Sequence, residues 1–102
     1  MKYIFPAVIT YSADEKIYYV DFPDTEGFFG CFTDGHSLLE AVENAEDALN
    51  LALLCEEEQG KAIPKASSIK EIAAKSPEDA IVTLIKADTE AHAKSIELAK
   101  TA

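Results

Sequence analysis

The chain has no arginine: all nine of its basic residues are lysines, set against nineteen acids. Without a guanidinium there is no bidentate fork for a phosphate or a guanine edge. A net charge of −10 also repels polyanions. Both facts argue against direct nucleic-acid binding and against docking on an anionic membrane. Cysteine is scarce as well. Cys31 and Cys55 are too few for a disulfide scaffold and fit reduced cytosolic thiols. No apolar run is long enough to span a bilayer. The opening MKYIFPAVITYSAD lacks the apolar stretch and cleavage site of a signal peptide, so a cytoplasmic location is expected. Internal repeats, a Gly-rich phosphate loop and a Gly-x-Ser-x-Gly elbow are missing too.

What is present is one domain's worth of chain. Its 102 residues are 48% apolar, enough for a modest core without a disulfide or metal staple. The charge is unevenly spread. Residues 1–60 hold 13 acids and 2 lysines, whereas residues 61–102 hold 6 acids and 7 lysines. A charge run is usually a solvated face, but a field this one-sided also attracts a basic protein partner.

The pattern predicts β-structure first. Tyr3–Thr10, Ile17–Phe22 and Phe28–Thr33 read as three strands joined by short polar turns, the first two as an antiparallel hairpin. Pro6 cannot donate to a ladder, which points to an edge or a bulge, and Gly30 points to a bulge or a close backbone approach. The period then changes. Ser37 with Glu40 reads as a capping box, and Leu38, Val42, Ala45, Leu49, Ala52 and Leu53 form one apolar stripe. The helix should stop near Gly60. Ser68 with Glu71 is a second capping box, Ala80–Ala87 a fourth strand, and Asp88–Ala102 a short terminal helix capped by Asp88 or Thr89. The expected class is α+β, in the order β-β-β-α-β, with one long helix packed on the sheet.

Candidate sites are few. Asp21, Asp24 and Asp34 fall where sheet loops gather and could form a metal or acid–base cluster. Asp24 after proline and Asp34 before glycine are, however, favoured turn residues in their own right, and that reading is preferred. His36, His92, Cys31 and Cys55 are too scattered for a metal site. No cofactor, metal or enzymatic activity is expected. The aromatic residues carry more information. Alternation places Tyr18 and Tyr19 on opposite sheet faces, and likewise Phe28 and Phe29. One helix covers one face, so the other should expose aromatic surface to a partner or to a second copy, most simply as a homodimer.

Several words, in order, resemble the HicB-like antitoxins of bacterial toxin–antitoxin systems. They are YIFPAVI at Tyr3–Ile9, YYVDFPD at Tyr18–Asp24, GCFTDG at Gly30–Gly35, the EAVENA core at Glu40–Ala45, and IPKAS at Ile63–Ser67. The last has alanine where the family has a second proline. The resemblance covers about Tyr3 to Asp88. It implies a partial RNase H-like fold over residues 1–88, a non-enzymatic role, and a partner: a small basic HicA-like toxin that cleaves messenger RNA and is masked by the antitoxin. The residues then expected to meet the toxin are Asp24, Glu26, Phe28, Phe29, Phe32, Asp34, Glu40 and Asp47.

Three departures stand out. The connection Thr25–Phe29 is longer than usual, His36 replaces a commonly acidic position, and residues 89–102 are too few for the DNA-binding module that many members carry. Operator binding is therefore not expected of this chain. Two rival readings remain: an orphan binding module without a toxin, and a metal-dependent RNase H-like nuclease using Asp21, Asp24 and Asp34.

Overall fold

The computed structural model describes residues 1–101, with side chains through Glu97. Strands β1 (Lys2–Ser12), β2 (Ile17–Asp21), β3 (Phe32–Gly35) and β4 (Ile81–Asp88) form one antiparallel sheet in the order β3-β2-β1-β4. Helix α1 (Leu38–Glu58) packs on one face. The short α2 (Ile69–Lys75) packs against β1 and β4, and α3 (Thr89–Thr101) lies along α1.

The expected order of elements is present, with two helices beyond the core pattern, and four details differ. First, β1 is central rather than an edge, and its register with β4 runs unbroken past Pro6. The proline is tolerated because of strand parity. The Thr89 N–H donates to the Met1 carbonyl, so the odd residues of β1 face β4 and Pro6 faces the other way. There β2 has already ended, with Asp21 opposite Val8, and continuing that register would set Pro6 against Pro23. Neither proline has an N–H to give, so the pairing stops.

Second, the third strand begins at Phe32, not Phe28. Residues 22–31 fold back on themselves around a 3-10 turn at Pro23–Thr25. The N–H groups of Phe28 and Gly30 both donate to the Thr25 carbonyl, so these residues bond within the connection rather than to a strand. Third, the buried stripe of α1 is Ala41, Ala45, Leu49 and Leu53, and Leu38 is 41% exposed. The helix sits closest to the sheet at its start. A Cβ on Gly35 would strike the Ala41 backbone nitrogen and lie 2.7 Å from its Cα, so Gly35 makes the close approach expected of Gly30. Small alanines face β3 there. The two leucines, each adding about 1.5–3 kcal/mol by burial, fill the wider space beyond. Fourth, the Ser37 cap accepts from the Glu40 N–H at 3.1 Å, but the Glu40 carboxylate returns to the His36 N–H rather than that of Ser37.

The remaining signals read as expected. Gly60, at φ +68°, closes α1: its N–H donates to Glu57 and that of Lys61 to Glu56, a Schellman motif. Ser68 and Glu71 form the second capping box. Asp88 caps α3 through the Ala91 N–H.

The core lies between sheet and helix: Phe5, Ala7, Ile9, Val20, Phe22, Ile85 and Ala87 against the α1 stripe. These strand residues share one parity. The other parity faces away from α1 and presents Ile4, Tyr19, Phe32 and Leu84, all exposed, beside the covered Pro6. Among the described residues no helix is long and apolar enough to cross a membrane.

Candidate functional site

The sheet face turned away from α1 is where chemistry and exposure coincide. At its β3 side, pairing sets Asp21 opposite Phe32 and Tyr19 opposite Asp34. Phe32 is 78% exposed and points to this face by parity. Asp21, across the pair, and Asp34, two residues on, share this face with it. Partial desolvation, then the nearby charge of Glu26, push the Asp21 carboxyl above its ordinary range. The Tyr19 phenol donates to Glu15 at 2.8 Å and is pushed up by that bond, with smaller contributions from desolvation and from the charges of Glu15 and Asp34. An exposed phenylalanine beside Asp21 and Asp34, with Glu26 near Asp21 and Glu15 on the Tyr19 hydroxyl, is an anionic, sticky surface. It suits a basic partner with an apolar contact point.

The eight residues expected from the sequence divide. Phe32 and Asp34 lie together on this face. Glu26 stands close to Asp21, and Phe28, 57% exposed, lies on the same β2–β3 connection. Phe29 is half-buried and packs against the core. Asp24 is occupied: its carboxylate accepts from both the Ser67 N–H and the Ser67 hydroxyl, each at 2.7 Å, tying the connection to the segment before α2. Glu40 completes the helix start. Asp47 is exposed on α1, and α1 covers the opposite face of the sheet from Phe32.

One supporting residue escaped the sequence reading. Thr25 is 1% exposed; its hydroxyl donates to the Phe22 carbonyl at 2.7 Å and accepts from the Cys31 N–H at 2.8 Å. It holds the whole connection in shape. A threonine between two acids carries no distinctive signal, so only the contacts reveal it. Asp21, Asp24 and Asp34 do not form a cluster. Among the described residues, no three His, Cys, Asp or Glu side chains could hold a metal together.

A sequence model for the HicB-like antitoxins of bacterial toxin–antitoxin systems matches residues 5–99. The chain belongs to that family. Solved structures share its fold. A chain of a toxin–antitoxin complex from Streptococcus pneumoniae superposes with a TM-score of 0.73 at 21% identity, covering 90% of this chain and 73% of that one. The Burkholderia pseudomallei antitoxin HicB gives 0.67 at 23%, covering 81% and 61%. A chain of the HicA3–HicB3 toxin–antitoxin complex gives 0.63 at 21%, covering 84% and 99%. No curated protein matches the sequence. The α+β arrangement of this HicB-like chain is thus that of solved antitoxin structures.

Proposed function

We propose that this HicB-like chain binds a small, basic, HicA-like toxin that cleaves messenger RNA, and neutralises it by covering the toxin's active site. The observation that carries the reading is Phe32, exposed beside Asp21 and Asp34 on the sheet face turned away from α1. Residues 1–88 supply the binding domain, with α3 as its helical extension. The chain acts stoichiometrically, in the cytoplasm, with no reaction of its own. Its acidic first sixty residues speed encounter with a basic toxin, and the aromatic surface supplies the buried contact that holds it.

Asp34, Glu26, Phe28 and Phe32 form the contact in this proposal. Asp24, Phe29 and Glu40 act on it through the shape of the connection and the helix start, and Asp47 contributes at longer range through the field. The test is growth rescue. A HicA-like gene product is expressed with and without this chain, and viable cells are counted. Rescue by the wild-type chain that is lost in Phe32→Ser supports the proposal. Toxicity that the chain leaves untouched rejects it and favours an orphan binding module.

A further inference from the structure

A cleft of about 500 Å³ lies where β1 begins and β4 ends, between α1 and the first turn of α3. That volume is within the range of small-molecule sites, about 300–1,000 Å³. Residues of both parities line it, so it wraps the end of the β4 edge rather than lying on either sheet face. This is the free edge of the sheet. On the other, the Asp34 carbonyl of β3 is taken by the Asn44 side chain.

Some of the polar groups in the cleft are already engaged. The Asp88 carboxylate accepts from the Ala91 N–H. The Asn50 side chain works at both ends: its amide donates to the Glu46 carbonyl and its oxygen accepts the Asp88 N–H. Four side chains are not engaged. Lys2 stands opposite Asp88 and Lys86 opposite Ile4, so the two lysines are diagonal neighbours across the β1–β4 pair. Glu46 faces them from α1, and His92 closes the α3 side. Among the described residues none of the four side chains makes a hydrogen bond or ion pair; the ion pair on α3 is Lys94 with Glu90. Opposite charges that line one cleft without meeting leave room for a molecule that carries both. A simple anion would face Glu46, and a simple cation would face two lysines. The rest of the lining is apolar, with Ile4 55% exposed and the small Ala87 and Ala91 beside it.

We propose that this cleft binds a small zwitterion with an apolar body, the chemistry shared by a free amino acid and a dipeptide. Its carboxylate sits with Lys2 and Lys86, its ammonium with Glu46, and its apolar body against Ile4 and Ala91. Charge favours this class of ligand. The chain as a whole carries −10 and repels anions, but here two lysines offset Glu46 and Asp88, so a molecule of no net charge enters without a field against it. The walls come from β1, β4, α1 and α3, so an occupant ties the first turn of α3 to the sheet and stabilises the fold by mass action. The cleft is apart from Phe32, and the proposal does not rest on the antitoxin reading.

Amide NMR of the isotope-labelled full chain, titrated with leucine and with leucyl-leucine and with no toxin present, tests this. Saturable shifts centred on Lys86, Asp88, Ala91 and His92 are expected, and the tighter of the two probes identifies the source. The N-acetyl form of that probe lacks the ammonium, and its amide form lacks the carboxylate. Each should bind about tenfold more weakly, the loss of one charge-assisted contact. Lys2→Gln combined with Lys86→Gln should erase the parent's advantage over the amide form, and Glu46→Gln its advantage over the acetylated form. None of these three side chains belongs to the core, so circular dichroism should not change. Titrations without saturable shifts from either zwitterion overturn the proposal. So does an acetylated or amidated form that binds as tightly as its parent, or an advantage that survives the substitutions. The comparison of parent and blocked probes uses the wild-type chain and decides even where a variant does not fold.

Discussion

Asn44 and Asn50 lie on one helix and tie down opposite edges of the sheet. The Asn44 amide donates to the Asp34 carbonyl on β3, and the Asn50 carbonyl accepts the Asp88 N–H on β4, at 2.9 and 2.8 Å. A four-stranded sheet is about 14 Å wide, and six residues of helix rise about 9 Å, so the two side chains span the remainder. Asn50→Ala should leave the Asp88 N–H unpaired and cost about 1–3 kcal/mol in urea unfolding. Asn44→Ala, at a more exposed site, should cost less. Equal costs would show that burial does not separate the two.

Thr25 should be more sensitive still. Thr25→Val keeps the volume but strands the Cys31 N–H in the interior, costing about 1–3 kcal/mol, while the Phe22 carbonyl keeps the Thr25 backbone N–H and loses only its second donor. Thr25→Ser should recover most of the loss. A valine variant as stable as the wild type would mean that the connection is held by packing alone.

Asp24 and Asp34 are both acidic but predict opposite behaviour. Asp24→Asn should lower stability, and its effect should shrink but not vanish in a Ser67→Ala background, which removes the hydroxyl bond and keeps the one from the Ser67 N–H. Asp34→Lys should leave stability within about 0.5 kcal/mol while slowing association with a basic toxin most strongly at low salt. Toxin binding that ignores Asp34→Lys at low salt would remove Asp34 from the contact.

The two cysteines should react differently. Burial, then the charge of Asp21, push the Cys31 thiol up to about 11. At neutral pH a maleimide should label the exposed Cys55 and spare Cys31. Burial, then a hydrogen bond and charge from Glu57, push the Tyr3 phenol up to about 12. Both groups hold their protons more tightly in the folded chain than in the unfolded one. Their contribution to stability is complete below the unfolded thiol value of 9.0 and falls as pH rises through about 11, then about 12. Cys31→Ala should remove the first step in a pH series of unfolding midpoints, and Tyr3→Phe the second.

Gly35→Ala should destabilise by about 1–3 kcal/mol through overpacking against the α1 backbone. Gly30→Ala meets open space and should be penalised only by its left-handed φ of +61°, at roughly 1 kcal/mol. The reverse order would place the closest helix–sheet contact elsewhere.

These residues also mark where reading the sequence succeeds. Caps at Ser37, Ser68 and Gly60 were legible because a cap is a contract among residues three or four apart. The phenylalanines of the long connection misled because Phe28 and Phe29 fit a pleated strand locally, whereas Thr25 claims their segment through bonds that propensity does not encode. Phe32 could be expected at an exposed face, since one long helix covers only one side of a sheet. Asp24 could not be assigned, because Ser67 lies 43 residues away.

The sequence by itself determined the periods of two and of 3.6, the caps at Ser37, Gly60 and Ser68, the one-sided charge and the family words, all of which are local or additive properties. Tertiary structure decided that β1 is central, that Gly35 and not Gly30 meets the helix, that Asp24 is a tie, and which edge of the sheet stays free. Each of those depends on which distant segment lies alongside, and strand order and side-chain partners are chosen only when the chain closes on its core.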